Sequence, residues 1–317
     1  MTTLVERDGG IVEAVDRDGI RERLDAGEFF WLDLVEPTAD EYSTLREVFD
    51  FHPLAVEDSV KFGQRAKLED YGAFAFLVVF GWSPDEDGLV EVHCFYSDRY
   101  LVTVRHDDSP ALDALRRRYA QGAALEAPIR ALYRVLDALI DSFFPALADF
   151  DERLDEIQLA LLAEGAEPEL QELTTMRRRL ITLRRVVGPQ RDMLGRLAAG
   201  VTVLPGLDRD AERFFRDVYD HLIRLGETID GYRDVASTVM DVYLSSASNR
   251  TNRVIQRLTL IATIFLPLTF VTGYFGQNFG WLVENVDDFW TFFVLGIMAE
   301  LLVVALLLVW FRRRRWI

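Results

Sequence analysis

The side chains best suited to do chemistry are amides and carboxylates. Gln277 and Asn278 follow Gly276 at the end of a long apolar run, and Glu284, Asp287 and Asp288 come shortly after. Amide and carbonyl oxygens accept hydrogen bonds from the water shell of a hydrated cation, and neighbouring acids raise the local cation concentration. A further acid, Glu300, stands at the centre of a second apolar run. By contrast, His52, His93, His106 and His221 show no metal-ligand spacing. Cys94 is the only cysteine, so the chain can hold no disulfide framework. No phosphate-cradling glycine loop or nucleophile triad is visible. The expectation is a protein that handles cations and is not an enzyme.

The elements that position these groups are membrane spans. Leu258 to Gln277 is a 20-residue run without a charge, and at ~1.5 Å per residue it reaches ~30 Å, the thickness of a bilayer core. Phe289 to Phe311 is a second run, of 23 residues, with Glu300 its one charge. Such an acid costs roughly 2.5–3.5 kcal/mol on insertion scales. It is either a pore or proton-relay group or a neutral carboxyl bonded to a polar group on the neighbouring helix. Arg250, Arg253 and Arg257 precede the first run, and Arg312 to Arg315 with Trp316 follow the second. The positive-inside rule places both basic flanks in the cytoplasm and the acidic loop outside. Met1 to Gly10 is charged and is not expected to be a signal peptide. The chain is therefore expected in the cell membrane, multi-pass, with both termini cytoplasmic.

The formal net charge is -17, and residues 1–249 carry -20 of it. An acidic soluble part argues against a nucleic-acid partner, which needs a basic footprint. Only Lys61 and Lys67 are lysines. Arg177 to Arg179 with Arg184 and Arg185 are expected to form a solvated face pairing with acidic helices such as Asp149 to Glu156.

Residues 1–125 read as a cytoplasmic α/β domain. Strands are expected at Phe29–Leu34, Phe74–Gly81, Leu89–Phe95 and Leu101–Arg105, and helices at Thr38–Phe49, Leu54–Lys61 and Ala111–Ala120. Residues 126–257 read as a cytoplasmic helical domain and stalk. Helical patterns run to about Ala163, break at Gly165 to Pro168, resume to about Ala199, turn at Leu204-Pro205-Gly206, and run again from Asp208 to Gly273. Val218, Leu222, Leu225, Ile229, Tyr232, Ala236, Val239 and Tyr243 form a seam of period 3.5. It serves either an oligomer or an antiparallel bundle within one chain. The remaining divisions are a first span at 258–277, an outer loop at 278–288, a second span at 289–311 and a basic tail at 312–317.

The first span ends Pro267-Leu268-Thr269-Phe270-Val271-Thr272-Gly273-Tyr274-Phe275-Gly276-Gln277-Asn278-Phe279. This resembles the CorA-type magnesium transporters, whose hallmark is a Gly-Met-Asn tripeptide at the outer end of the first of two C-terminal helices. Asp241 to Ser246, Ser248 to Asn252, Ile261 to Phe265, Phe215 to His221, His52-Pro53-Leu54 and Glu57-Asp58 are similar to family segments. The resemblance covers most of the chain, firmly from Phe215 to the end. It implies an α+β cytoplasmic domain, a long helical stalk, two transmembrane helices and a homopentamer. An oligomer is also required physically, because two helices cannot enclose an aqueous path.

The resemblance further implies a pore along Asp241, Leu244, Ser248, Asn252, Ile255, Leu258, Ala262, Leu266, Thr269 and Gly273, whose mean spacing of about 3.6 residues is one helix face. Asn252 and Thr269 would contact a hydrated ion. Leu258 and Leu266 would form a constriction that gates by dewetting. Gly276, Gln277 and Asn278 would be the selectivity filter, with Gly273 and Gly276 letting the backbone leave the helix, and Glu284, Asp287 and Asp288 an outer acidic ring. Asp58 and Asp217 match a carboxylate pair that binds regulatory Mg2+ between neighbouring cytoplasmic domains. Gln277 departs from the family's usual Met, and Gly280 stands where some relatives carry an acid. The implied activity is Mg2+ influx, with Co2+ or Ni2+ as further ions, gated by cytoplasmic Mg2+. Gln277 and Glu300 keep a proton-coupled Zn2+ transporter of the same family open, and a non-conducting membrane-anchored cation sensor is the reading from another class. The partners implied are divalent ions, further copies of the chain and the bilayer, without a catalytic cofactor.

Overall fold

A computed structural model describes residues 2–84, 88–125, 127–161, 167–277, 279–285 and 288–314. In chain order the elements are β1 (Thr2–Val5), β2 (Ile11–Glu13), α1 (Arg17–Ala26), β3 (Phe30–Val35), α2 (Ala39–Glu47), α3 (Pro53–Val60), β4 (Lys67–Asp70), β5 (Ala75–Gly81), β6 (Val90–Tyr96), β7 (Tyr100–Arg105) and α4 (Pro110–Ala120). There follow α5 (Pro128–Asp141), α6 (Phe143–Ala160), α7 (Glu167–Ala198), α8 (Ala211–Phe275), α9 (Gly280–Asn285) and α10 (Phe289–Arg313). The chain divides into two units, Met1–Val239 and Met240–Ile317, and α8 belongs to both.

The sheet of the first unit has the order β2-β1-β3-β7-β6-β5-β4, antiparallel except for the β3–β7 pair. Strands β5, β6 and β7 are buried throughout, as a sheet covered on both faces requires. Phe49 and Phe51, from the α2–α3 connection, pack on one face, where Phe51 stacks on Phe95 at 4.2 Å. Helices α4 and α5 cover the other face: Tyr119 meets Trp31 edge-on, and a Cβ at Gly81 would lie 2.8 Å from Leu139 Cδ2. Gln190 of α7 accepts the Phe80 N–H at 2.9 Å, beyond the stretch of β5 that β4 pairs.

That second face also holds a buried ionic network. The parallel register sets Asp33 opposite Thr103. Thr103 Oγ1 donates to Asp33 Oδ1 at 2.7 Å and accepts from Trp31 Nε1 at 3.0 Å. Arg105 and Arg116 approach Asp33 Oδ2 at 3.2 and 3.4 Å, and both bond Asp113. Asp33 is fully buried.

Several local expectations change. Three strands lie where the sequence raises no β expectation. Thr2–Val5 is a buried strand inside a stretch that reads as charged, and Lys67–Asp70 carries charge because it is a sheet edge. Helix α1 was likewise unmarked, having only Ile20 and Leu24 as a buried stripe, although Asp16 caps it and Gly27 ends it at φ 73°. The break expected at Gly165 to Pro168 falls between α6, which ends at Ala160, and α7, which begins at Glu167 and so places Pro168 in its first turn, where its missing N–H costs nothing. The seam on α8 is used within the chain. Val218, Leu222, Leu225, Ile229, Ala236 and Val239 are buried, with Phe215 against Tyr133 of α5 and Tyr219 against Gly195 of α7. Six of its eight positions thus serve a bundle within the chain, and Tyr232 and Tyr243 are only partly covered. Arg184 pairs at 3.0 Å with Asp230 of α8, not with α6, whose Arg153 instead binds Glu172. Arg177 to Arg179 are exposed.

In the second unit, α8 and α10 are long and apolar enough to cross a membrane. Leu258, Phe265, Leu266, Phe270, Leu301 and Leu306 are each more than half exposed. The connection between α8 and α10 contains the short helix α9, and Phe292–Met298 within α10 winds as a π-helix. Neither feature has a signature in hydropathy.

Candidate cation path and carboxylate cluster

All ten positions from Asp241 to Gly273 that the resemblance marks as pore-lining lie on α8, and none is buried. The residues between them divide by helix phase. Gln256, Leu260, Thr263, Ile264, Pro267, Leu268 and Val271 are partly covered and lie on the other side of the helix. Val271 and Thr272 line a cavity shared with Phe292, Leu295 and Ile297 of α10. Near its end α8 thus shares a cavity with α10, while Leu258, Ala262, Leu266, Thr269 and Gly273 are exposed. The Thr269 hydroxyl donates to the Phe265 carbonyl at 2.8 Å, leaving its lone pairs to face outward.

Helix α8 continues through Gly273 and ends at Phe275, so only Gly276 marks the departure of the chain. Gly276 N–H still bonds Thr272 O at 2.9 Å, and a Cβ there would approach the same oxygen at 3.0 Å. Gln277 is exposed. Asn278 and Asp287 lie outside the described residues, as do Arg315 and Trp316. Glu284 is exposed on α9, and Asp288 caps α10, accepting the Trp290 N–H at 3.1 Å.

In the first unit, Asp58 and Asp217 fall into different groups of side chains. Asp58 binds Lys67 at 2.5 Å, and Lys67 also binds Glu69 at 2.9 Å. His52 positions this region, its Nδ1 accepting the Leu54 N–H at the start of α3 with Pro53 behind it.

Asp217 instead joins a cluster that histidine spacing alone does not reveal. Asp137, Asp141 and His221 each offer a ligand atom, all within 4.8 Å of one another. His221 Nδ1 lies 2.9 Å from Asp141 Oδ1, and its Nε2 lies 4.0 Å from Asp217. The available signal is a double i,i+4 spacing: Asp137 and Asp141 share one face of α5, and Asp217 and His221 one face of α8. Burial and the charges of Asp141 and Asp217 push the Asp137 carboxyl up, while His221 and Arg134 pull it down. Burial and the nearby Asp137 and Asp217 push the Tyr133 phenol up to about 12. Two ligands of one small divalent ion at ~2.1 Å lie at most ~4.2 Å apart, so slight side-chain rotation would close this set around an ion. Mixed carboxylate and imidazole donors suit Co2+, Ni2+ or Zn2+ directly and Mg2+ through retained water. Burial pushes the Cys94 thiol up, which makes it a poor nucleophile or ligand.

Residues 26–313 match the family described as CorA-like Mg2+ transporter protein. The cobalt/magnesium transport protein CorA of Thermotoga maritima is 32% identical over 278 residues, covering 86% of this chain and 78% of that protein. The zinc transport protein ZntB of Yersinia pestis is 29% identical over 232 residues, covering 73% of this chain and 69% of that protein. The complete structure of the CorA magnesium transporter from Methanocaldococcus jannaschii has the same fold. Its TM-score is 0.87 at 19% identity, over 100% of this chain and 99% of that one.

Proposed function

The chain belongs to the CorA-like Mg2+ transporter protein family, whose members move divalent cations across membranes, and on that premise we propose that it is a Mg2+ channel. Mg2+ enters the cell passively, driven by the membrane potential, with Co2+ and Ni2+ as secondary ions. Five copies surround a path lined by the open face of α8, with residues 1–257 and the basic tail in the cytoplasm. The observation that carries this reading is the exposed face of α8: its polar and apolar positions from Asn252 to Gly273 lie on one face and are exposed, while only Val271 to Gln277 share a cavity with α10. Gly276, Gln277 and Asn278 form the entrance, where amide and carbonyl oxygens accept hydrogen bonds from the ion's water shell. Glu284, Asp287 and Asp288 concentrate cations there. Leu258 and Leu266 close the path by dewetting.

Leu266 is 73% exposed in the single chain, so an amide there meets no packing neighbour. Leu266→Asn is expected to raise Mg2+ uptake about tenfold at closing internal Mg2+, equivalent to ~1.4 kcal/mol off the barrier. An unchanged rate in a correctly assembled variant counts against the gate.

Closure responds to cytoplasmic Mg2+ at carboxylates. Asp58 of one copy faces Asp217 of the next, with the ion competing against Lys67 for Asp58. Asp137, Asp141 and His221 extend the same acidic region. Saturating Co2+ or Mg2+ at about 100 times Kd should stabilise the chain by ~2.7 kcal/mol. Asp137→Asn should abolish most of that gain yet leave the metal-free chain at least as stable, because it removes a half-buried charge beside Asp141. Thermal melts with and without chelator check both signs. A full cation response in the variant removes this cluster from the regulatory site.

The second reading is proton-coupled Zn2+ movement. It draws on the similarity to the zinc transport protein and on the polar Gln277 at the filter. Uptake of Zn2+ that follows a pH gradient and survives excess Mg2+ would favour it.

A further inference from the structure

A cavity of about 520 Å3 opens in the first unit between the ends of β5 and β6 and one face of α7. Gly81 and Val90 are the last paired residues of the two strands, so Trp82 and Leu89 stand just beyond the sheet and line it. Thr175, Arg178, Arg179, Thr182 and Leu183 line it from α7, at positions i, i+3, i+4, i+7 and i+8 of one helix face. Phe62, after α3, and Asp107, after β7, add a second aromatic ring and a carboxylate. None of these residues belongs to the cation path or to the Asp137, Asp141 and His221 cluster.

Both rings are held in place. Phe62 stacks on the buried His93 at 4.6 Å, and His106 meets it at 4.3 Å. Glu91 fixes the same loop. Its buried carboxylate accepts the N–H groups of Gly63 at 2.6 Å and Gln64 at 3.2 Å, and it meets His93 Nε2 at 2.7 Å. Those bonds occupy Glu91, which therefore supports the wall and is not a ligand. Gly88 lies so close to Trp82 that a Cβ there would come to 2.5 Å from the indole. Phe62 and Trp82 are themselves only partly covered.

The remaining polar groups are of both signs. The guanidinium groups of Arg178 and Arg179 and the Asp107 carboxylate make no hydrogen bond or ion pair among the described residues. Thr175 and Thr182 donate their hydroxyl protons to the Gln171 and Arg178 carbonyls at 3.0 and 3.2 Å, which leaves them acceptor lone pairs. A bare anion would satisfy the arginines but meets Asp107 and uses neither ring. An uncharged aromatic molecule would use the rings but leave the arginines unfilled. One ligand class carries every complement. Its aromatic base stacks on rings, its hydroxyl and amino groups donate to Asp107 and the threonines, and its phosphate fits the guanidinium forks. The volume suits a small molecule of this kind.

We propose that this cavity binds a nucleoside phosphate. The base packs against the Trp82 and Phe62 rings, the ribose hydroxyls donate to Asp107, and the phosphate bonds Arg178 and Arg179. The inference uses the first unit alone and rests neither on conduction nor on which ion the chain carries.

Calorimetric titration of the full chain in detergent tests it, with chelator present so that no divalent ion takes part. ADP is the probe, and inorganic phosphate and adenosine are its two halves. ADP should bind once per chain and about a hundredfold or more tightly than either half, because linking the halves makes the second contact intramolecular. Arg178→Ala combined with Arg179→Ala should weaken ADP about a hundredfold, since each charge-assisted hydrogen bond lost accounts for roughly tenfold or more. The melting temperature of the ligand-free chain should not change. ADP lacking both ribose hydroxyls should bind the wild type about tenfold more weakly than ADP does, and should match ADP in Asp107→Ala. Phosphate that binds as tightly as ADP reduces the site to an anion patch and overturns the proposal. So does an intact, assembled chain that binds no ADP at millimolar concentration. ADP binding that the double variant leaves unchanged, or a ribose effect that persists in Asp107→Ala, overturns it as well.

Discussion

Asn278→Ala is expected to reduce Mg2+ uptake about a hundredfold or more while leaving assembly and melting temperature unchanged. Each Asn278 amide oxygen would accept a hydrogen bond from water polarised by the ion, and bonds to charged partners contribute ~1.5–3 kcal/mol each. Alanine removes that acceptor from every copy around the entrance at once. Removing two such hydrogen bonds from the rate-limiting entry step already corresponds to about a hundredfold or more. Tracer uptake alongside a thermal melt separates loss of the filter from loss of fold. Asn278→Asp offers a control of opposite kind, since a fixed charge would hold the ion and slow its release. Uptake in Asn278→Ala equal to wild type would remove the amide from the entrance.

Asp33→Ala carries the largest expected effect on stability. It leaves Arg105, which is 1% exposed, without its buried partner, and it strands the Thr103 hydroxyl. Breaking a buried pair by removing one member costs about 3–5 kcal/mol, because the remaining charge stays in the interior. Arg105 keeps Asp113 and Arg116 keeps the same partner, which limits but does not cancel the loss. A double variant, Asp33→Ala with Arg105→Met, is expected to recover much of it. Thermal denaturation of the two variants measures the difference. A single variant as stable as wild type would mean that Asp113 alone satisfies both guanidinium groups.

These two positions mark how far the sequence could be read. The membrane spans were legible because a bilayer imposes a length of uncharged chain that few other structures demand. The ten-position face of α8 was legible only through the family resemblance; its spacing of about 3.6 residues fits one helix face, and the ten positions are exposed in the single chain. The core strands β3, β5, β6 and β7 were legible as dense Val, Phe and Leu runs. Asp33 could not be singled out as buried, because its partner Thr103 lies in a parallel strand reached only after the intervening chain has folded. The same holds for Asp137 and Asp141 with His221, which meet across α5 and α8 and not within one motif. The α8 seam shows the converse problem: a period of 3.5 reports burial of one stripe and is silent on whether the covering helices belong to the same chain. Edge strands β2 and β4 were hidden by the charges and brevity that suit a sheet edge. The π-helix before Glu300 has no hydropathy signal at all, since its residues are as apolar as the α-helical turns that follow.

Conduction is tested most directly by Mg2+ uptake into proteoliposomes of the wild-type chain, with an inside-negative potential applied and no pH gradient. A potential-driven Mg2+ channel is expected to give uptake that starts with the potential, stops when it is dissipated, and saturates with external Mg2+. Protein that is intact and oligomeric yet passes no Mg2+ under these conditions would contradict it.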